Sequence, residues 1–207
     1  CQPLTDPAGP EPGLLGAFSS AYAEYRAQAE EVLAQAVQNT NLKAQALSFN
    51  ESAKALERME HALSPLADAP TDRKADPRNA PQAALALRAL LEAQRIQAMH
   101  SPHIEERADT AMDELETRMA QADKRARLAL AALAGQPGAA RSAGEALAAY
   151  EDFQKITANI KQLSRQNTNV RSLALTLERG DKLLAACDAA LKAYEDKLQA
   201  GMAKGTR

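Results

Sequence analysis

A helical segment occurs twice in the chain, at a constant offset of 128 residues. The strongest match pairs Gln-Asn-Thr-Asn-Leu-Lys at 38–43 with Gln-Asn-Thr-Asn-Val-Arg at 166–171, and weaker identities extend the match over residues 16–63 and 144–191. Such a repeat means two copies of one structural unit, which we expect to follow the same backbone path. Four consecutive polar residues kept in both copies must either build a turn or line a site.

The composition predicts that the repeated unit is helical. Of the 207 residues, 45% are apolar but only 3% are aromatic, and the chain is rich in Ala, Leu, Glu, Gln, Lys and Arg. These are the residues of long helices with narrow, closely packed seams. We therefore predict an all-α fold, an antiparallel bundle of long helices without β-sheet, arranged as one elongated domain or two small ones.

The residue content also argues against several classes of function. Lys and Arg number 25 against 27 Asp and Glu, and no block of five like charges occurs, which disfavours nucleic acid as a partner. No apolar run reaches the ~18 residues of a membrane-spanning helix. The chain has no glycine-rich phosphate loop, nucleophile elbow or haem-attachment motif, so we predict neither an enzyme nor a cofactor.

The first residue suggests a lipid anchor. Cys1 is followed by a Pro/Gly-rich stretch, which is typical of a bacterial lipoprotein after its signal peptide is removed and its cysteine is lipidated. We predict lipidation of Cys1, residues 1–13 as a flexible tether, and a cell-envelope location, either periplasm-facing or at the outer membrane. The alternative is a boundary that happens to fall at a cysteine. Cys187 lies at helical spacing from leucines and is predicted to be buried and inert.

Two breaks divide the helical sequence into three segments. The first is a proline-rich stretch after Ser64, and the second is Gly135-Gln136-Pro137-Gly138, a typical helix stop. Besides the tether, the predicted parts are a helical segment at 14–64, a connection at 65–81, a helical bundle at 82–202 that carries the second repeat copy, and a flexible tail at 203–207.

The path of the chain at the duplicated motif is left open by the sequence. Asn and Thr are weak helix formers and good caps, so the motif favours a tight turn with Asn41 or Asn169 as the new N-cap. Against a turn, apolar residues recur every seven positions from Ile156 to Leu198, as in one continuous helix. The segments are thus either hairpins or long helices that run up, down and up.

About residues 80–200 resemble a known sensor domain. Residues 95–100, Arg-Ile-Gln-Ala-Met-His, and residues 111–119, Ala-Met-Asp-Glu-Leu-Glu-Thr-Arg-Met, look like the first two helices of the four-helix-bundle ligand-binding domain of methyl-accepting chemotaxis proteins. Residues 163–177 and 186–191 are similar to its third and fourth helices. The resemblance implies an extracytoplasmic sensory fold that binds a small organic acid or amino acid between helices or at a dimer interface.

The chain departs from this family's pattern in three respects. The sequence contains no flanking transmembrane helices and no cytoplasmic signalling half, and it has an additional N-terminal copy of the final helix region. Signalling across a membrane would therefore need a partner protein.

The duplicated motif is the main candidate site. With Val170 at heptad position a, the motif amides border the seam between helices, and in continuous helices they form a buried layer that must bond to one another, to water or to a ligand. The cation that follows each motif could pair with a ligand carboxylate. The candidate ligand-binding residues are Gln38, Asn39, Asn41, Lys43, Gln166, Asn167, Asn169 and Arg171. The alternatives are turn chemistry and a polar layer that fixes helix register.

A second irregularity is His100-Ser101-Pro102-His103. Ser101 suits an N-cap and Pro102 the first helical position, which predicts a helix break here. Asp109 or Thr110, followed by Asp113 and Glu114, offers a second possible helix start. His100 and His103 are candidate metal ligands, but zinc normally recruits three or four converging groups, and this pair without cysteines is a weak motif. We predict no metal site.

Two functions follow from these observations. The first is an envelope lipoprotein with a chemoreceptor-like sensor or small-molecule-binding bundle. The second is a structural or adaptor lipoprotein that presents helical surfaces to an envelope protein complex or to a second copy of itself. A binding module should contain a polar cavity at the level of the motif, whereas an adaptor should have a dry core and an exposed apolar stripe.

Overall fold

The computed structural model describes residues 12–67 and 80–205, which are almost entirely helical. The all-α prediction is confirmed. In chain order the α-helices are α1 (Pro12–Ala36), α2 (Thr40–Ala46), α3 (Ala53–Ala67), α4 (Ala80–Glu105), α5 (Asp109–Ala134), α6 (Ala140–Gln166), α7 (Thr168–Leu175) and α8 (Asp181–Gly205). Short π-helical turns, Leu47–Ser52 and Thr176–Gly180, join α2 to α3 and α7 to α8. Within these residues, no helix is both long and apolar enough to span a bilayer.

The chain divides into two compact units, and it crosses between them at the duplicated motif. The bundle unit comprises residues 39–167, and the terminal unit comprises residues up to 38 and from 168 onward. This division differs from the segments predicted from the sequence. The second half of the first repeat copy, α2 and α3, belongs to the bundle unit, while α7 and α8 belong to the terminal unit. Helical periodicity marks an apolar face but does not encode which helix covers it.

The bundle unit consists of four helical rods. The first is formed by α2 and α3 together, and the others are α4, α5 and α6. Asn41 at the start of the first rod bonds to Asn167 at the end of α6, and Arg58 farther along pairs with Asp152, so these two rods are antiparallel. Short loops join α4 to α5 and α5 to α6. The second loop is the predicted stop at Gly135-Gln136-Pro137-Gly138, which is confirmed.

Alanine occupies much of the bundle core. Ala86, Ala89 and Ala93 of α4 are fully buried together with alanines of α5 and α6, while Tyr150 and Phe153 supply the largest side chains. Small residues let helices approach closely, so the low aromatic content of the sequence is compatible with a packed interior. This core lies wholly within residues 39–167.

The terminal unit is a pair of antiparallel rods, α1 and α7–α8. Each rod has one end at the motif, and close to that end Gln28 donates a hydrogen bond from Nε2 to the carbonyl oxygen of Leu175 at 2.6 Å. α1 packs along α7 and α8. Cys187 on α8 is buried, as predicted.

At the motif the two repeat copies follow the same backbone path. Asn39 has φ 52° and ψ 39°, and Asn167 has φ 52° and ψ 36°. This left-handed conformation is one that asparagine tolerates better than most residues, and it ends one helix before the next begins. In both copies a short α-helix and then a π-helical turn follow at the 128-residue offset. The residues expected as N-caps, Asn41 and Asn169, lie instead in the first turns of α2 and α7.

The path is neither of the two that the sequence left open. α1 packs on α7 and α8, and α6 packs on α2 and α3, so each arm finds its partner in the other repeat copy. The left-handed residue also prevents a continuous helix. The repeat therefore builds two related helix pairs, α1 with α7–α8 and α6 with α2–α3, one in each unit.

Of the two helix starts predicted in this segment, the one at Ser101 and Pro102 is wrong, and the one at Asp109 is confirmed. α4 continues through Ser101 and Pro102 to Glu105. Proline removes one backbone hydrogen bond, but it lies close to the end of the helix, where few intrahelical bonds depend on it. The buried side chains of His100 and His103 on either side of it are held by neighbouring helices. These tertiary contacts are not visible in the local sequence.

Candidate functional site

Two of the eight motif residues proposed as a ligand site form a buried pair. Asn41 and Asn167 are buried and hydrogen-bonded to each other. Asn39 and Asn169 are half-buried, and the remaining four residues, Gln38, Lys43, Gln166 and Arg171, are exposed. The two cations therefore do not lie in the interior.

The buried amide pair donates hydrogen bonds to backbone carbonyl groups at the end of α4. Asn41 Nδ2 donates to the carbonyl oxygen of Ile104 at 2.7 Å and to Asn167 Oδ1 at 2.8 Å. Asn167 Nδ2 donates to the carbonyl oxygen of Glu106 at 2.7 Å. The last carbonyl groups of a helix have no intrahelical partner, and these amides supply one. The motif thus supports the helix break and caps a neighbouring helix.

His100 lies in the same buried layer and is held as a neutral ring. Its Nδ1 is 3.1 Å from Ser48 Oγ, and its Nε2 is 3.2 Å from Thr157 Oγ1. Hydroxyl groups can donate or accept, so they suit either neutral tautomer. Burial lowers the pKa of His100 to about 4, and the neighbouring His103 adds to the effect. The ring packs on Phe153 with centroids 5.9 Å apart.

His103 is surrounded by acceptors. Ser164 Oγ donates its own hydrogen to the carbonyl oxygen of His103, so at 2.7 Å from Nδ1 the hydroxyl accepts. Nε2 lies 2.9 Å from a carboxylate oxygen of Glu116. Each ring nitrogen of His103 therefore has a polar partner within hydrogen-bond distance.

Glu116 connects this histidine to the surface. Burial opposes its ionisation, but hydrogen bonds from Arg165 and His103 bring the pKa of Glu116 below its usual value. Arg165 also pairs with Asp113. Every polar group of this network thus has a protein partner. The described residues contain no cluster of three or more side chains that could hold a metal ion.

None of the larger clefts on the described residues lies at the level of the motif. Clefts of about 580, 490 and 420 Å³ are present, and no residue of either Gln-Asn-Thr-Asn motif lines them. The 490 Å³ cleft carries Arg95, Arg118 and Arg125, but Arg95 and Arg125 already pair with the buried Glu92 at 2.6 and 2.9 Å. Their charge is thus engaged within the bundle unit.

Most of the large apolar side chains that are exposed among the described residues belong to the terminal unit. Ten of the sixteen large apolar side chains that stand exposed belong to it, although it is the smaller unit. A cleft of about 420 Å³ runs along the pair, which we name the α1 groove. Its lining residues are Tyr25, Gln28, Ala29, Val32, Leu33 and Ala36 of α1, with Thr176 and Gly180 of the second π-helical turn.

Sequence reasoning missed the α1 groove because the heptad of segment three was taken as a buried seam. Leu177, Leu184, Leu191 and Leu198 of that heptad are 61, 47, 40 and 37% exposed. A comparison of the two copies position by position contained a usable signal. Ser52 of the first copy is replaced by Gly180, and Thr157 of the second copy stands where the first has Ala29. At both positions a residue with a hydroxyl group corresponds to glycine or alanine in the other copy. Such differences indicate that the two helix pairs pack against different neighbours.

Comparison with models of protein families finds no match, nor does comparison with curated proteins or with solved structures. The resemblance to chemotaxis receptor domains therefore stays a prediction. Its third stretch, residues 163–177, is divided between the two units at Asn167. Cys1 and most of the predicted tether lie outside the described residues, so the expected lipidation and envelope location stay predictions as well.

Proposed function

We propose that this protein is a helical adaptor whose terminal unit docks onto the helices of another polypeptide. The bundle unit serves as the folded body from which this helix pair is presented. The proposal involves no chemical reaction on a substrate, and its specificity would come from apolar helix packing along the α1 groove and the heptad leucines.

The observation that carries the proposal is the different burial of equivalent leucines in the two repeat copies. Leu56 and Leu63 in the bundle unit are 4 and 0% exposed. Leu184 and Leu191 occupy the same repeat positions in the terminal unit and are 47 and 40% exposed. Fully burying a leucine contributes about 1.5–3 kcal/mol, so a partner that covered this row would gain several kcal/mol. Large contiguous apolar patches on a folded protein mark interaction sites.

Binding of a small organic acid or amino acid has less support. The amides that would hold such a ligand are bonded to the carbonyl groups of Ile104 and Glu106. Lys43 and Arg171, which would pair with its carboxylate, are exposed. A ligand at this level would have to displace hydrogen bonds that the fold itself uses, which costs about as much as it gains.

A site-specific photo-crosslinking experiment tests the adaptor proposal. A photoreactive amino acid replaces Leu33 or Leu184 in the terminal unit and, as controls, Leu128 in α5 or Leu91 in α4. The side chains are 62 and 47% exposed at the test positions and 61 and 51% exposed at the controls. Irradiation of cells that produce the protein should give an adduct larger by a whole polypeptide at positions 33 and 184 but not at 128 or 91. Equal adducts at all four positions, or none at 33 and 184, would contradict the proposal.

A further inference from the structure

The α1 groove has an occupied counterpart in the bundle unit. Adding 128 to the groove residues of α1, and subtracting it from those of the π-helical turn, gives positions that α4 covers. His100 of α4 packs on Phe153 and bonds to Ser48 and Thr157. In the terminal unit, Phe153 corresponds to Tyr25, Ser48 to Thr176, and Thr157 to Ala29. The bundle unit thus contains the same helix pair with a helix in its groove.

The remaining contacts of α4 extend the correspondence along the groove. His103 bonds to Ser164, the counterpart of Ala36, and Gln97 bonds to Ser52, the counterpart of Gly180. The covered residues Ser52 and Ser164 have no exposed surface. In the terminal unit Ala36 and Gly180 are half-buried, and Ala29 and Thr176 are exposed. The groove is therefore a helix-binding surface without its helix among the described residues.

The differences between the two grooves indicate the chemistry of the missing helix. Where α4 places polar side chains, the bundle unit offers hydroxyl groups at Ser52, Thr157 and Ser164. The terminal unit offers Gly180, Ala29 and Ala36 at these three positions and keeps a hydroxyl group only at Thr176, the counterpart of Ser48. A histidine or glutamine buried there would lack partners at a cost of about 1–3 kcal/mol each. The occupant should therefore present apolar side chains.

The geometry of the bundle unit also fixes how many helices are missing. Its helix pair, α2–α3 with α6, is completed by α4 and α5, which are themselves an antiparallel pair. The terminal unit is itself an antiparallel helix pair with an exposed apolar face. A second terminal unit could therefore cover it in the way that α4 and α5 cover the helix pair of the bundle unit. Two such units related by a two-fold axis along the helices would form a four-helix bundle in which every neighbouring helix is antiparallel.

The charges of the terminal unit permit this self-association. In α1, Glu24, Glu30 and Glu31 outnumber Arg26, which gives a net charge of −2. Residues 168–205 contain six basic and five acidic side chains, a net charge of +1. In the two-fold arrangement α1 of one copy lies beside α7–α8 of the other, so helices of opposite net charge are neighbours.

We propose that the α1 groove is filled by α1 of a second copy, so that two terminal units form a four-helix bundle and the protein is a homodimer. This inference rests on the proposed function, because it names the polypeptide that docks on the exposed helix pair. In the dimer, α1 of the second copy takes the place that α4 has in the bundle unit, and its α7–α8 takes the place of α5.

The test is the molar mass of the purified full chain, measured by light scattering after size exclusion over a range of concentrations with reductant present. The wild type should approach twice its 22.1 kDa chain mass. Leu184→Glu and Leu191→Glu should halve this mass with unchanged helical circular dichroism, since these leucines are 47 and 40% exposed in one copy while their counterparts Leu56 and Leu63 are buried in the complete bundle. Leu91→Glu in α4, at a leucine that is 51% exposed, is the matched control and should remain a dimer.

Each other outcome has a defined meaning. A wild type that stays monomeric at the highest soluble concentration overturns the inference. So does a dimer that Leu184→Glu and Leu191→Glu leave intact, or one that Leu91→Glu dissociates. If the photo-crosslinked adduct at position 33 contains a different protein while the purified chain is monomeric, the adaptor proposal stands and the second-copy inference fails. If neither adduct nor dimer forms, both fail.

Discussion

At the level of single residues, the polar side chains that the sequence marked as a site are the ones that hold the bundle unit together. Asn41 and Asn167 satisfy carbonyl groups at the end of α4, and His100 and His103 bond to hydroxyl groups of neighbouring helices. The heptad positions of the motif predicted the two asparagines as buried amides that need partners, whereas the two histidines were expected only as weak candidates for metal binding. The sequence could not identify the carbonyl and hydroxyl partners, because these lie 52 to 63 positions away along the chain.

His100 should make the stability of the bundle unit depend on pH. Its pKa is about 4 in the fold and near 6.5 in the unfolded chain, so between these values the unfolded chain binds a proton that the fold does not. The stabilisation from the neutral ring is complete above about pH 6.5 and is lost as the pH falls towards 4. At about 1.4 kcal/mol per pKa unit, the loss is about 3 kcal/mol.

The measurement is urea unfolding of the wild type and of His100→Gln between about pH 7.5 and pH 4. The difference in unfolding free energy between the two should narrow by about 3 kcal/mol as the pH falls, since only the wild type can protonate this ring. His61→Gln is the control, because His61 is exposed and should leave the pH dependence unchanged. A constant difference across this range would mean that His100 is not held neutral by burial.

At the level of elements, the sequence predicted the existence of helices better than their partners. The stop at Gly135-Gln136-Pro137-Gly138 is confirmed because Gly and Pro end helices through their own backbone chemistry. The break at Ser101 and Pro102 is wrong because contacts of neighbouring buried side chains outweigh one missing hydrogen bond. The left-handed turn at Asn39 and Asn167 was predicted only in its position. The helix break lies in the motif, as one of the two alternatives expected, but it occupies a single residue and creates no hairpin.

Replacing Asn167 should separate the backbone role of this turn from its hydrogen bonds. Asn167→Ala loses the bonds to Glu106 and Asn41 and also loses the short polar side chain that lets asparagine tolerate the left-handed region, for a combined cost of about 2–4 kcal/mol. Asn167→Gly loses the same bonds but accepts the backbone conformation, so it should be about 1 kcal/mol more stable than the alanine variant. Unfolding in urea gives these values, and Gln166→Ala, at an exposed neighbour, should change stability by less than about 0.5 kcal/mol. An alanine variant as stable as the glycine variant would show that the left-handed turn carries no strain.

At the level of the whole molecule, the duplicated helix pair is covered by two further helices in the bundle unit but not among the described residues of the terminal unit. The bundle unit adds α4 and α5 and buries its leucines, whereas the terminal unit leaves the equivalent leucines exposed. The duplication was visible in the sequence. Its consequence was not, because the same apolar stripe serves a helix covered by its own chain and a helix covered by another. The two helix pairs can be told apart in the sequence only where residues with hydroxyl groups in the bundle unit correspond to Ala29, Ala36 and Gly180 in the terminal unit.

The bundle unit should therefore fold without the terminal unit and lose the ability to dimerise. Residues 39–167 contain the whole alanine-rich core, and the cuts fall at Asn39 and Asn167, where the helices already end. This fragment should unfold cooperatively in urea, because its four rods cover one another's apolar faces. Light scattering should give the mass of a single fragment at concentrations where the full chain is a dimer. A fragment that dimerises would place the contact surface within the bundle, and a fragment without a cooperative transition would mean that its stability depends on the terminal helices.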